Sequence, residues 1–211
     1  STRALSSAAS DVYKRQLESR PADRLWHTGF LTLSSHEPFE VPYNRLKDKR
    51  QNSFAYTDHC LGEFIDRLKQ LPVWNNLLVI CLPDHGSSPT FNVTSPTFYH
   101  IPMLWLGGAI KAPAVIHTLM NQSDMPATLL GQLGLPHQDF KYSRNIFSTS
   151  YTYPFAYSTF SDGFMFKDST GVTIFDNAAR KPVYNEPAPD GAREEKGMAI
   201  LQTSYDQLGE N

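Results

Sequence analysis

Cysteine is nearly absent: Cys60 and Cys81 are the only two in 211 residues, too few for a disulfide framework to be read from their spacing. An excess of positive charge is absent as well. With 19 Lys and Arg against 21 Asp and Glu the formal net charge is -2, and no nucleic-acid partner is expected, since that calls for a basic face. Long apolar runs are lacking too. None approaches the roughly 20 residues of a membrane-spanning helix, and the first residues lack the apolar centre of a signal peptide. What is present is a hydrophobic fraction of 40%, enough for a packed core. The length suits one substantial domain or a piece of a larger one.

The chain divides unevenly. Residues 1–16 fit nothing downstream; Ser6 to Gln16 reads as a translated adapter junction, with an ordinary polar arm as the alternative, and the stretch is set apart as a non-native or disordered leader. Phe30 to Leu33 read as the end of a strand. An amphipathic helix follows, with Phe54, Leu61, Phe64, Ile65, Leu68 and Leu71 on one face, ended by Pro72. The basic cluster Arg45, Lys47, Lys49 and Arg50 reads as its solvated entry. Leu77 to Leu82 is a short continuous apolar run, as in a strand buried on both faces. Strand, helix and strand in that order predict a βαβ unit, hence an α/β fold with a mainly parallel mixed sheet and flanking helices.

Ile101 to Leu106 predict a further strand. Ser123 as N-cap and Gly134 as stop bracket a short helix over 124–133, with Leu129, Leu130 and Leu133 inward. Residues 17–150 thus form the main domain. From 151 to 211 the pattern changes to a small antiparallel meander and a terminal helix. Three aromatic strands, near 155–160, 164–167 and 172–175, are separated by the hairpin signals Asp162-Gly163 and Asp168-Ser169-Thr170-Gly171. Asp190 to Leu208 predict a helix with Met198, Leu201, Tyr205 and Leu208 on its inner stripe.

In an open parallel sheet, ligands bind beyond the carboxyl ends of strands. Two polar clusters take that position here: Ser34-Ser35-His36 and Asp84-His85-Gly86. An adjacent carboxylate and imidazole can both turn toward one metal ion, and Gly86 permits the sharp corner this needs. An ordinary capped turn explains the same three residues. Cys81-Leu82-Pro83-Asp84-His85 has the outline of the Cys-x-Pro-x-Arg motif that sulfatases convert to formylglycine. His85 stands in place of the Arg, however, and Cys81 sits inside the apolar strand, so that role is not assigned.

Taken in order, Leu33-Ser34-Ser35-His36-Glu37-Pro38-Phe39, Tyr56-Thr57-Asp58, Leu61-Gly62-Glu63-Phe64-Ile65, Trp74-Asn75-Asn76-Leu77, Asp84-His85-Gly86, His100-Ile101-Pro102 and Ser123 to Leu130 resemble the lipoteichoic acid synthase (phosphoglycerol transferase) branch of the alkaline phosphatase and sulfatase superfamily. The resemblance runs from Leu25 to Ile146 and implies the C-terminal half of that catalytic domain. It implies Asp84 and His85 as metal ligands and His36 as a substrate-binding residue that contacts the phosphoryl group. It further implies one divalent metal ion, Mn first, with Zn or Mg as alternatives, and a phosphate- or sulfate-ester substrate, lipid-linked in the transferase branch. The full-length protein would work on the extracytoplasmic face of a bacterial membrane. The implied reaction attacks phosphorus with an activated hydroxyl and passes the covalent intermediate to an alcohol or to water.

The family's nucleophilic Thr and first acidic ligand lie upstream of the histidine loop, and no residue here corresponds to them. The chain therefore supplies no catalytic nucleophile, its partner is the N-terminal half of the same protein, and in isolation it is expected to be inactive. Two other readings stay open: a sulfuric or phosphoric ester hydrolase of the same fold, and a non-catalytic α/β interaction domain.

Overall fold

A computed structural model of the chain describes residues 25–86 and 92–209; the leader expected over 1–16 lies outside them. The fold is α/β and separates into two compact units, one within Ser1–Cys81 and Leu104–Pro113, the other within Leu82–Met103 and Ala114–Asn211.

The first unit is organised by helix α1, Lys49–Leu68. Asp48 caps it, its carboxylate accepting from the Gln51 amide at 2.8 Å, so one of the orphan first-turn donors is satisfied. Asn52, buried on the first turn, accepts from the Arg45 and Leu46 amides and donates to the Tyr43 carbonyl. It ties the entry loop to the helix. After Leu68 the chain turns through a 3-10 helix, Pro72–Asn76, into strand β1, Val79–Cys81. The β1 strand pairs antiparallel with β2, Leu104–Leu106, Val79 facing Leu106. Gly107, at φ +116, brings the exit of β2 against the Leu77 carbonyl, where a Cβ would fall 2.1 Å from the oxygen.

Here the expected βαβ unit is corrected. Residues 30–33 form no strand, and the apolar run at 77–82 finds its neighbour in β2, running the other way. Apolar periodicity reports that a strand exists but carries nothing about its direction. That depends on the path of residues 82–103, whose described part holds the 3-10 turn Pro96–Tyr99 and no crossover helix.

The second unit holds helix α2, Met125–Gln132, a four-stranded antiparallel sheet of β3 (Ala156–Phe160), β4 (Gly163–Asp168), β5 (Gly171–Asp176) and β6 (Lys181–Glu186), and helix α3, Gly191–Gly209. The strands lie in sequence order, 3-4-5-6, the meander expected for this region. Both hairpin signals form two-residue turns, Phe160 facing Gly163 and Asp168 facing Gly171. The sheet is covered on both faces, so β4 and β5 are buried nearly throughout. On one face Phe164, Phe166 and Phe175 pack with Tyr157, Phe155, Ile200 and Leu201, with Phe164 and Phe175 stacked at 5.5 Å. On the other, Met165, Val172 and Ile174 pack with Tyr99, Phe160 and Tyr184. Each such buried side chain contributes about 1.5–3 kcal/mol.

Three expectations shift. The β6 strand is a fourth beyond the three expected, and Pro182 near its start is of the kind only an edge strand tolerates. The inner side of α3 carries Arg193 and Gly197, both buried, with Ile200 and Leu201 on the phenylalanine cluster; of the expected stripe Leu201 packs inward, while Met198, Tyr205 and Leu208 are exposed. Gly197 lets the helix close on the Phe164 ring: a Cβ there would lie 2.0 Å from Cε2. In α2 the buried residues are Ala127 and Thr128, and Leu133 is exposed. Gly134, at φ +67, ends that helix as expected, with the Leu135 amide returning to the Leu130 carbonyl at 2.9 Å.

Candidate metal and phosphoryl site

Asp84 and His85 open the second unit, directly after the last residues of β1. Both are exposed. The Asp84 Oδ1 atom accepts from the His85 amide at 3.0 Å, a local bond that holds the carboxylate over its neighbour's backbone. On the imidazole, Nδ1 lies 2.7 Å from the Gly86 carbonyl. A carbonyl only accepts, so Nδ1 carries the proton and the lone pair of the neutral ring sits on Nε2. That Nε2 is 3.9 Å from Asp84 Oδ1. Two donors sharing an ion at roughly 2.0–2.2 Å from each stand at most about 4.4 Å apart, a bound that this separation meets. Among the described residues no cluster of three or more His, Cys, Asp or Glu side chains forms a fuller ligand set.

The loop is held from two sides. Gly86 packs against the 3-10 turn Pro96–Tyr99 so closely that a Cβ would lie 1.5 Å from the Phe98 carbonyl oxygen. Phe98 is itself buried and edge-on to Tyr99, whose hydroxyl donates to the Val93 carbonyl at 2.7 Å. From the other side Gln122 Nε2 donates to the Pro83 carbonyl at 2.6 Å.

His36 belongs to the first unit. It lies in a tight turn in which its amide donates to the Leu33 carbonyl and the Phe39 amide donates to its own. Thr57 of α1 donates to Ser34 at 3.2 Å, fastening the turn to the helix. The ring is exposed, and its Nδ1 donates to the Glu37 carbonyl at 3.0 Å, which puts the lone pair of the neutral ring on Nε2. The two cysteines are free thiols, and burial pushes the Cys81 thiol up.

Sequence reasoning missed the frame behind the loop. Asp124, fully buried, accepts from the Asn121 amide at 2.8 Å, from the Arg144 amide and Nε at 2.9 Å each, and from Arg144 Nη2 at 2.7 Å. The guanidinium lies 3.8 Å from the centre of the Phe155 ring. Ser123-Asp124-Met125-Pro126 was legible as a helix start, but nothing local announces that its acid pairs with an arginine twenty residues on.

The described residues thus combine an α/β fold with a carboxylate and an imidazole just past a strand end. A solved structure described as a protein in the alkaline phosphatase superfamily from Vibrio parahaemolyticus matches with a TM-score of 0.71 at 20% identity, over 99% of this chain and 55% of that one. Residues 5–135 match the family model described as Sulfatase, and the chain belongs to the sulfatase family. The phosphopentomutases of Helicobacter pylori strains J99 and HPAG1 are each 29% identical over 136 residues, 64% of this chain and 30% of theirs. The chain therefore spans about a third of the length of these relatives.

No helix among the described residues is long and apolar enough to cross a membrane.

Proposed function

We propose that this chain carries the metal-binding and phosphoryl-contacting part of a phosphoryl-transfer site, of the phosphoglycerol-transferase type, within a longer sulfatase-family enzyme. The observation that carries the reading is the Asp84–His85 pair: a carboxylate oxygen and an imidazole nitrogen 3.9 Å apart, with the other ring nitrogen already committed to Gly86. Such a mixed oxygen and nitrogen donor set suits Mn or Zn better than Ca. Relatives named for a phosphorylated pentose favour phosphoryl over sulfuryl chemistry.

Asp84 and His85 would hold the ion. When bound, it supplies a Lewis acid for the phosphoryl oxygens. His36, with Nδ1–H spent on the Glu37 carbonyl, meets a phosphoryl oxygen through Nε2 once the ring is protonated, a charge-assisted bond that stabilises the anion. The nucleophile, the remaining metal ligands and the acceptor site, lipid-linked in the transferase branch, would come from the remainder of the domain. Ester hydrolysis by the same site is the second reading, favoured by the family's own description.

The test is Mn2+ binding to the purified chain, read by paramagnetic broadening in NMR. Weak binding is expected, because two donors are half a first shell. It should centre on Asp84, His85 and Gly86 and disappear in the double variant Asp84→Asn with His85→Ala. Broadening that is unchanged in that variant would sink the reading.

A further inference from the structure

Asp84 and His85 are exposed, yet a side chain from far along the sequence reaches the residue before them. Gln122 lies 39 residues away, and its Nε2 donates to the carbonyl of Pro83, the residue directly before Asp84, at 2.6 Å. Pro83 brings no amide hydrogen of its own, so that carbonyl is the one backbone handle on the residue. Gln122 is in turn placed by a rigid support. It is the first residue of a 3-10 turn, Gln122–Asp124, whose cap Asn121 and last residue Asp124 are joined reciprocally in a capping box. The Asn121 side chain also accepts from the Tyr157 amide at the start of the meander, at 2.6 Å. Asp124 is locked by the Arg144 guanidinium. The backbone of Gln122 is thus pinned on both sides while its side chain runs out to the loop. A site holds its geometry when its outer contacts stand on fixed elements.

We propose that Gln122 is the positioning residue of the Asp84–His85 loop, holding the carboxylate and the imidazole in the arrangement that lets both face one ion. The loop anchoring stands on the geometry; its consequence for a metal rests on the reading of Asp84 and His85 as donors. Gln122 touches neither the ion nor substrate, so its effect falls on loop order and metal affinity.

Two measurements on the 15N-labelled full chain test this, comparing wild type with Gln122→Met, which keeps the length and loses the donor. In the metal-free protein, amide order parameters at Asp84, His85 and Gly86 should fall in the variant from the rigid range near about 0.85 toward about 0.6, while those of α2 stay unchanged. In an Mn2+ titration followed by broadening of the same amides, the midpoint should rise roughly three- to tenfold. Gln132→Met, an exposed glutamine on α2, should leave both readouts where they were. Equal order parameters in wild type and Gln122→Met overturn the anchoring role. Equal Mn2+ midpoints overturn its consequence for metal. A wild type that shows no Mn2+ broadening, while the order parameters still separate, overturns the metal reading and upholds the anchor.

Discussion

Asp168 shows how much one buried carboxylate can organise. At the end of β4 it accepts from the Thr170 amide and hydroxyl at 2.8 and 2.6 Å and from the Tyr153 hydroxyl, with Lys196 of α3 at 3.5 Å. Burial alone would raise its pKa, but these hydrogen bonds and the ammonium outweigh it and bring the carboxyl down to about 2. A folded-state pKa below the unfolded one means stability that is complete above the ordinary carboxylate range. It is lost as pH falls from about 4 through about 2. Asp168→Asn should therefore cost roughly 2–3 kcal/mol at neutral pH. The gap between wild type and variant in thermal melts should close progressively from pH 4 to pH 2. A gap that stays constant across that range would show that the charge plays no part.

At the scale of the element, α3 and the meander meet through a glycine. Replacing Gly by Ala in a helix usually stabilises by about 1 kcal/mol. At Gly197 the sign should reverse, because the added methyl would collide with Phe164, a ring with no exposed surface and stacked on Phe175. We expect Gly197→Ala to lose about 1–3 kcal/mol in denaturant unfolding. Gly62, on α1 with nothing within 4 Å of its would-be Cβ, supplies the control: Gly62→Ala should stabilise. Stabilisation at both positions would mean that the helix does not close on the sheet as described.

For the whole molecule, the weak point is the β1–β2 ribbon. None of its residues is fully buried, and Leu104 is 52% exposed. A two-stranded sheet is marginal by itself, and among the described residues each strand has one partner, so an apolar edge on either side can recruit another chain. The purified 211-residue chain should therefore self-associate in a concentration-dependent way by light scattering. It should also show no turnover of phosphate or sulfate esters with Mn, Mg or Zn. A strict monomer, or robust metal-dependent hydrolysis, would contradict the proposal that it is part of a larger catalytic domain.

Local features were legible in the sequence because contacts within a few residues determine them. Hydrophobic spacing marked α1, Gly134 its left-handed stop after α2, and Asp162-Gly163 and Asp168 to Gly171 the two tight hairpins. Asp84-His85-Gly86 stood out as a polar cluster behind an apolar run, and the geometry of its imidazole follows from the adjacent Gly86 carbonyl. Direction and partnership were decided elsewhere. The antiparallel pairing of β1 with β2, the edge strand β6, the inward face of α3 at Arg193 and Gly197, the Asp124–Arg144 pair and the Gln122–Pro83 bond all join residues brought together by the path of the chain. Hydrophobic period and turn chemistry are blind to that path. Only packing the two faces of the meander, and pairing buried groups such as Asp168 and Arg193 there, selects one set of partners from the many the sequence permits.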